Sequence, residues 1–412
     1  MIELKRATPE GHHCFFGYYD KSPWNLSKEY LLFGETTVYG RQPRENEPLS
    51  IGVVHLNTNK AEKLAVTPTW NFQQGCMMQW LDDECFIYNS CVGKDFVSKI
   101  FDLKTRKHMS VPKPVYAISH DKSIIMTVDF ARIQQYRQGY GYLGGEFDPN
   151  RDVAIESLNL RTGISQTLVS FTQFFELGYL KLGQSYWVDH ILFSPDDSHI
   201  TFLLRNLMDD GGCCSRLFCC AVNGQNLRCL LDTGMASHAD WFDNEHFCIW
   251  GRRQNTVRHL QSNRLIRSVL KPMIQLVRRT GVPNVVRAGL YGDAFLKINI
   301  HSGKISPFAT HIPANEGGGH FTFDKSKKWM LNDTSINSQG NRWLMLYYLP
   351  SDNRINLASI YTPVAIHNTA FRCDLHPRWS PDNQEICIDS VHEGYRAMYI
   401  ADISQIIRDV PL

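Results

Sequence analysis

The stretch His376-Pro-Arg-Trp-Ser-Pro-Asp382 decides the fold, because its pattern returns along the chain. In each copy a histidine is followed three positions later by an aromatic residue, and then by a polar turn and an apolar run. The other copies pair His190 with Phe193, His238 with Trp241 and His320 with Phe323. Each copy predicts a β-hairpin, since two short strands flank turn residues. Hairpins repeated at intervals of some tens of residues are typical of a β-propeller, whose blades are four-stranded sheets.

Three further hairpins raise the number of predicted blades to seven. They lie around Trp24, Trp80 and the His120-Asp121 turn. Seven blades account for the 412 residues as one all-β domain, 1–412, and the 43% apolar and 12% aromatic content can fill its core. We expect the N-terminal segment to supply the fourth strand of the last blade, because closing the ring removes exposed sheet edges.

Two insertions interrupt the predicted blades. Residues 131–150 follow the second strand of blade three and combine Arg137, Tyr140 and several glycines, as a loop that binds an acidic sugar would. Residues 252–290 interrupt blade five with a partial helical period, and nine Lys or Arg but no Asp or Glu occur between 252 and 287. We expect both over the site, the second as a helical lid. The alternative for the first insertion is a loop that only packs on its own blade. The alternative for the second is a basic helix that is solvated or binds a membrane.

Composition narrows the function classes. The net charge of +2 disfavours a nucleic-acid-binding protein, whose affinity depends on neutralising phosphates. No apolar run approaches the roughly 18 residues of a transmembrane segment, and residues 1–6 lack the apolar core of a signal peptide. We therefore expect a cytoplasmic protein.

Cys213-Cys214 and Cys219-Cys220 are interpreted as packing residues rather than zinc ligands, because adjacent side chains of a strand point to opposite faces.

The four repeated histidines hold one structural position in four blades, so their rings should converge at one mouth of the central channel. Three imidazoles suit a borderline divalent ion. We predict His238, His320 and His376 as its ligands, with Asn315 or Glu316 as a further oxygen donor. A lone histidine is as often a hydrogen-bonded structural residue, but four at one register weaken that alternative.

Other polar residues should reach the same mouth. The predicted ends of the second strands are Glu35, Asn89, Asp129, Arg205, Arg252, Asp333 and Asp389. His190 can act as a base, since an imidazole accepts a proton near neutral pH. Tyr18, or else Tyr19 or Tyr140, could protonate a leaving oxygen.

Arginines near this mouth are candidates for pairing with a substrate carboxylate. We assign catalytic roles to Arg205 and Arg252 beside His190 and Tyr18. The predicted substrate-binding residues are Arg378, Arg396, His392, Tyr140 and Arg137. A metal that polarises a carboxylate, with a base beside it, eases removal of the α-proton. For a uronic acid sugar this leads to β-elimination across the glycosidic bond.

The chain also resembles known families. The Ser-Pro-Asp hairpins at Phe193 and Trp379 resemble TolB-type propeller repeats, and the blades from His190 to His320 resemble oligogalacturonate lyases. That resemblance implies a cytosolic seven-bladed propeller that cleaves acidic oligosaccharides with a manganese-type ion. It implies His190 as the base, with His238 and His320 as metal ligands. The family's further Gln and His ligands near His320 appear here as Asn315, Glu316 and glycines, so His376 would have to compensate.

These observations predict a metal-assisted lyase that acts on an acidic oligosaccharide. Mn²⁺ is the expected ion, with Zn²⁺ or Ca²⁺ as alternatives. A non-catalytic propeller that binds a glycan or a protein partner remains open. A sialidase-type hydrolase is disfavoured, because the Ser-x-Asp-x-Gly-x-Thr-Trp box is absent. The sequence makes no prediction of oligomeric state.

Overall fold

The repeated hairpins form the blades of a propeller. The computed structural model describes residues 2–209, 211–253, 292–313 and 316–409. Within these ranges, 28 strands form seven four-stranded antiparallel sheets, and three short α-helices lie outside the sheets. The predicted all-β, seven-bladed architecture is therefore confirmed.

The strands follow the chain in order from the innermost to the outermost position of each blade, except in blade seven. Blade one contains β2 (His13–Phe15), β3 (Tyr30–Thr36), β4 (Leu49–His55) and β5 (Lys60–Thr67). Blade two contains β6 (Gln79–Trp80), β7 (Cys85–Val92), β8 (Asp95–Asp102) and β9 (Lys107–Val111). Blade three contains β10 (Ala117–Ile118), β11 (Ile124–Thr127), β12 (Ile155–Asn159) and β13 (Ser165–Val169).

The second half of the ring repeats this order. Blade four contains β14 (Tyr186–Phe193), β15 (His199–Leu207), β16 (Cys213–Ala221) and β17 (Arg228–Leu231). Blade five contains β18 (Ala236–Trp241), β19 (His246–Arg252), β20 (Asp293–Asn299) and β21 (Ile305–Pro307). Blade six contains β22 (Phe321–Phe323), β23 (Trp329–Asp333), β24 (Asn341–Tyr348) and β25 (Asn353–Tyr361).

Blade seven joins the two ends of the chain. Its sheet contains β26 (Arg378–Trp379), β27 (Glu385–Ser390), β28 (Ala397–Asp402) and, as its outermost strand, β1 (Lys5–Arg6). The pairing of Lys5 with Ile400 confirms the predicted closure by the N-terminal segment. The last described element is a short helix, Ser404–Asp409.

One turn structure recurs between the first and second strands of blades three, four and seven. A serine hydroxyl donates to the aspartate two positions later and accepts the backbone N–H of the first residue of the next strand. The serine–aspartate distances are 2.6 Å for Ser119–Asp121, 2.6 Å for Ser194–Asp196 and 2.7 Å for Ser380–Asp382. The bonds from Ile124, His199 and Glu385 are each 2.9 Å long. These side-chain bonds fix the turn, as short polar residues do in tight turns.

The backbone changes direction at the histidine position of the innermost strand. His190 has φ 58° and His376 has φ 44°, and Met77, which holds the same position in blade two, has φ 55°. Non-glycine residues seldom adopt this left-handed conformation. The β14–β15 pairing shifts register between Asp189 and Leu192, which is a bulge that redirects the intervening side chains. The blade start is thus shaped to present one side chain to the channel.

The insertion in blade three lies between its second and third strands. It opens with α1 (Phe130–Tyr136), whose first turn is capped by the Asp129 carboxylate at 2.9 Å from the Arg132 amide. Asp129, predicted to face the channel mouth, is therefore a helix cap. The blade-five insertion occupies the corresponding place between β19 and β20, but residues 254–291 lie outside the described residues.

Apolar residues from adjacent blades form the core. Its clusters join neighbouring sheets; one of them runs from Met77 in blade two to Phe218 in blade four. Cys214, Cys219 and Cys220 of β16 are buried in strand packing, as the sequence predicts, whereas Cys213, also predicted to pack, is exposed at the start of the strand. In the described part of the chain, no helix has the length and apolar character needed to cross a membrane.

Candidate active site

Two histidines and an aspartate from blades six and seven meet at one mouth of the channel. Ligand atoms of His320, Asp374 and His376 lie within 4.8 Å of one another, and all three residues are buried. The rings of His320 and His376 lie edge to face, with centroids 4.4 Å apart. His320 precedes β22, whereas Asp374 and His376 lie in the segment that leads into β26, so two neighbouring blade starts build this cluster.

Each of these two histidines points a bare ring nitrogen into the cluster. The Nε2 atoms of His320 and His376 are buried and have no hydrogen-bond partner among the described residues. The Nδ1 atom of His320 lies 3.2 Å from both carboxylate oxygens of Asp333, which fixes the proton on Nδ1 and leaves the Nε2 lone pair available. A buried nitrogen without a partner is costly, so a bound ion is a reason for such an arrangement.

The Asp374 carboxylate is held ionised beside these nitrogens. Arg372 Nε donates to it at 2.7 Å and Arg342 Nη1 at 3.1 Å. Burial would raise the pKa of Asp374, but Arg372 and Arg342 hold it well below its ordinary range. Burial lowers the pKa of His376, and the nearby His320 lowers it further. The cluster thus offers neutral imidazole and anionic carboxylate, the donor set that borderline divalent ions bind.

His238 lies against this cluster. Its ring centroid is 3.9 Å from that of His320, so the three predicted metal histidines do converge. The carbonyl oxygens of Gly318 and Gly319 lie 2.8 and 3.1 Å from its Nδ1 atom, which must therefore carry the proton. Burial, and then His320, hold the pKa of His238 well below its ordinary range. Its Nε2 atom can accept a proton or a metal.

His190 forms a hydrogen-bonded chain on the opposite side of the mouth. Its Nδ1 atom lies 2.6 Å from Asp189 Oδ1, and its Nε2 atom lies 2.6 Å from the hydroxyl oxygen of Tyr18. The Tyr18 ring lies between the two halves of the site: its centroid is 5.3 Å from His190 and 4.9 Å from His376. Burial, with the neighbouring Tyr19 and Tyr140, raises the pKa of Tyr18 well above its ordinary range.

Asp189 is surrounded by donors. Besides His190, it accepts hydrogen bonds from Arg137 Nη1 at 2.7 Å, Arg205 Nε at 2.9 Å and Trp187 Nε1 at 3.0 Å. Burial alone would raise its pKa, but Arg205, His190 and Arg137 hold the pKa well below its ordinary range. Burial lowers the pKa of His190, although Asp189 opposes that effect. Arg205, predicted as a catalytic residue, is therefore tied to this carboxylate.

The blade-three insertion connects both halves of the site. The guanidinium carbon of Arg137 lies 3.6 Å from the centroid of the Tyr140 ring, and the Tyr140 hydroxyl accepts from Arg372 Nη2 at 2.9 Å. The side chains of Arg137 and Arg372 remain 25% and 27% exposed, so both guanidinium groups can still be reached from solution. Arg137 and Tyr140 of the insertion therefore lie beside the site residues Asp189 and Arg372.

A polar cavity of about 730 Å³ opens from the His320–Asp374–His376 cluster over blade six. Amide, hydroxyl and guanidinium groups dominate its wall, with the Trp343 ring among them. Its polar and aromatic lining residues beyond the cluster include Ser335, Asn337, Asn341, Arg342, Trp343 and Asn368. This volume is typical of a small-molecule site.

Solved structures share this architecture. An oligogalacturonate lyase from Vibrio parahaemolyticus superposes with a TM-score of 0.63 at 14% identity, covering 98% of this chain and 94% of the lyase. An oligogalacturonate lyase solved in complex with manganese gives 0.62 at 14% identity, with 97% and 93% coverage. This chain has the oligogalacturonate lyase fold. No family model and no curated protein matches its sequence.

The propeller domain of a trilobed protease from Pyrococcus furiosus is a more distant match. It has a TM-score of 0.50 at 7% identity, with 96% of this chain and 94% of that domain covered. The oligogalacturonate lyases therefore match this fold more closely than that propeller does. At these identities the likeness concerns the fold.

Two predicted substrate-binding arginines have a different role within this lyase-type fold. Arg378 is 2% exposed and donates to the Asp389 carboxylate at 2.9 Å and to the carbonyl oxygens of Gly17 and Tyr18 at 2.6 and 3.2 Å. Arg396 is also buried and donates to the Phe371 and Arg372 carbonyl oxygens. The prediction that these two arginines contact substrate is therefore corrected: they hold the chain in place behind the site.

The remaining predicted residues lie around the rim. His392 is exposed on blade seven, where its Nδ1 atom lies 2.8 Å from the Ser390 hydroxyl. Arg252 ends β19 and donates to Asp293 at 2.7 Å, next to the undescribed segment. Glu316 lines the cavity and pairs with Arg354, whereas Asn315 lies outside the described residues. The roles assigned to His392, Arg252 and Glu316 stay predictions.

Sequence reasoning missed the two aspartates that complete the site. Asp374 lies two positions before His376, and Asp189 lies directly before His190. Because an acidic residue precedes the repeated histidine in two blades, the repeat pattern could have predicted both aspartates as site residues. Arg372, which bridges Asp374 and Tyr140, carries no comparable signal.

Proposed function

We propose that this protein is a metal-assisted lyase that cleaves an acidic, uronate-containing oligosaccharide by β-elimination. The observation that carries the proposal is the pair of Nε2 atoms on His320 and His376, which have no hydrogen-bond partner in the described part of the chain and lie with Asp374 next to the His190–Tyr18 pair. Cytoplasmic location and the identity of the sugar stay predictions.

His320, Asp374 and His376 would hold a divalent ion, with His238 beside them as a further imidazole. Such an ion, Mn²⁺ in first place, would supply the positive charge that makes the proton next to a carboxylate more acidic. The manganese complex of the structurally similar lyase supports this choice. The carboxylate in the ligand set favours an ion that accepts both oxygen and nitrogen donors.

The chain's own residues would bind the substrate and move its proton. Arg137 and Arg372 present partly exposed guanidinium groups beside the cluster, which suits a carboxylate. The polar cavity and Trp343 suit hydroxyl groups and sugar rings. The His190–Tyr18 pair, in which Asp189 orients His190, takes up the proton on the other side of the mouth.

The direct test is an assay with a panel of uronate oligosaccharides and Mn²⁺, followed by the absorbance of the unsaturated product. We expect turnover by the wild-type protein and by His301→Ala, a control at an exposed histidine in the β20–β21 turn. A combined His320→Ala and His376→Ala variant should lose all turnover. The contrary outcome is that the wild type converts no substrate while it and the double variant bind the same glycan equally well. In that case the protein is a binding propeller and the proposal fails.

A further inference from the structure

Both ring nitrogens of His190 are already occupied by protein groups. Asp189 Oδ1 lies 2.6 Å from Nδ1, and the Tyr18 hydroxyl lies 2.6 Å from Nε2. A base that acts directly on a substrate needs a nitrogen lone pair that faces the substrate. In this structure the lone pair of His190 faces Tyr18 instead.

The surroundings of Asp189 decide the direction of these hydrogen bonds. Asp189 accepts from the Arg137 and Arg205 guanidinium groups and from the Trp187 indole, so it is a carboxylate with no proton to donate. His190 must therefore donate from Nδ1, which leaves Nε2 as an acceptor. The hydroxyl proton of Tyr18 then points at His190, and the oxygen lone pairs of Tyr18 point away from it.

His190 and Tyr18 are both held rigidly in this orientation. The His190 amide donates to the Tyr116 hydroxyl at 2.8 Å, and its backbone sits at φ 58° beside the β14 bulge. The buried Arg378 donates to the carbonyl oxygens of Gly17 and Tyr18, which fixes the backbone on which the phenol is carried. These bonds fix the backbone of both residues, and turning either side chain away would break the 2.6 Å bond between the Tyr18 hydroxyl and His190 Nε2.

Tyr18 also stands between His190 and the candidate metal ligands. The centroid of its ring is 4.9 Å from that of His376 and 5.9 Å from that of His320. Tyr18 is therefore in ring contact with His190 on one side and with two of the candidate metal ligands on the other. The position of Tyr18 and the occupied nitrogens of His190 both indicate that a substrate proton would reach Tyr18 first and His190 second.

We propose that Tyr18 is the catalytic residue that exchanges protons with the substrate, and that His190 and Asp189 act behind it as a relay. This inference rests on the proposed lyase function. As the substrate C–H bond breaks, its proton bonds to the Tyr18 oxygen and the hydroxyl proton of Tyr18 passes to His190 Nε2. The C–H electron pair forms the C=C bond, and the glycosidic C–O bond breaks with its electrons on oxygen. The proton returns from His190 through Tyr18 to that oxygen, which restores the relay.

Tyr18→Phe separates this relay from direct catalysis by His190. The variant removes the hydroxyl and frees His190 Nε2, so a direct base would keep its activity within a few-fold. The relay predicts that kcat falls at least about 100-fold while KM changes little, because general acid–base groups contribute roughly 10²–10⁴-fold. His190→Gln, which can still hydrogen-bond Tyr18 but cannot take its proton, should lose kcat to a similar extent. Tyr361→Phe, at an exposed tyrosine of β25, is the matched control and should keep wild-type kcat.

A second readout does not depend on turnover. Nitrogen NMR of histidine-labelled protein should show His190 protonated at Nδ1 and hydrogen-bonded but unprotonated at Nε2. In Tyr18→Phe the Nε2 resonance should move by several ppm while Nδ1 stays in place. A proton on Nε2, or an Nε2 resonance unchanged in the variant, overturns the relay even where turnover is seen. If no substrate is turned over at all, the proposed function fails and these spectra alone decide whether the relay exists.

Discussion

At the scale of single residues, the candidate site depends on carboxylates that lie beside the histidines. Asp189 and Asp333 each fix a proton on the Nδ1 atom of a histidine, and Asp374 adds an anionic oxygen to the unpartnered nitrogens of His320 and His376. The tautomer of each imidazole is thus set by its neighbour, as is usual for histidines that bind metals or move protons.

Asp374→Asn tests the carboxylate in the metal cluster. The amide has almost the same shape but no charge, so we expect the affinity for Mn²⁺ to fall at least about 10- to 100-fold, which is the loss when a carboxylate that only supports a metal ligand is removed. Isothermal titration of the metal-free protein measures this. Asp352→Asn, in the β24–β25 turn where the carboxylate accepts a hydrogen bond from Thr310, is the control and should leave the affinity unchanged. Equal affinities in Asp374→Asn and wild type would remove Asp374 from the ligand set.

The sequence could predict the convergence of the histidines but not every side chain around them. His238, His320 and His376 share one position in a repeat, so the symmetry of the fold brings them together. Arg378 and Arg396 also lie near the blade starts, but their partners are backbone carbonyls of distant segments, which no local pattern encodes. For that reason the sequence could not predict that these two arginines are buried and bind the backbone behind the site.

At the scale of secondary-structure elements, the blade hairpins depend on the recurring serine–aspartate turn. Partial burial would raise the pKa of Asp196, but hydrogen bonds from Ser194 and Ser198 hold it at about 2. The pKa of Asp382 is likewise about 2, where burial is outweighed by Lys28 and Ser380. Such local bonds can be recognised from the Ser-Pro-Asp pattern, which explains why the hairpins were predictable.

Asp196→Asn should weaken this turn in a way that depends on pH. The pKa of Asp196 in the folded protein is lower than its ordinary value of 3.8, so the carboxylate stabilises the fold above about pH 4 and loses that effect as the pH falls through 2. We expect the variant to melt about 1 °C below wild type at pH 7, for a loss of about 1 kcal/mol set against the unfolding entropy of the whole propeller. The difference should shrink toward pH 2 in thermal melts. Asp95→Asn, at an exposed position that begins β8, should show no such trend.

At the scale of the whole molecule, the ring is closed by the pairing of β1 with β28. Around that strand the Ala7 amide donates to the Met398 carbonyl oxygen at 2.8 Å, and the Met398 amide donates to the Thr8 hydroxyl at 3.1 Å. Propellers gain stability from closure because it covers an edge that would otherwise pair with another chain. The candidate site lies partly on blade seven, so closure also positions His376.

Deletion of residues 1–8 should therefore open the ring. We expect the melting temperature to fall by several degrees and soluble aggregates to appear, since β28 becomes an exposed edge. Differential scanning calorimetry and light scattering measure both effects. Lys5→Ala removes an exposed side chain but keeps the backbone pairing, so it should behave as wild type. A deletion variant that melts like the intact chain would show that the closure contributes little.

The central claim is that imidazoles and a carboxylate from different blades hold one divalent ion beside the His190–Tyr18 pair. Anomalous X-ray diffraction from crystals grown with Mn²⁺ tests it most directly. The predicted result is one strong manganese peak about 2.0–2.3 Å from the Nε2 atoms of His320 and His376 and from an Asp374 oxygen. Absence of any peak at that cluster, with the three side chains still in place, would contradict the account.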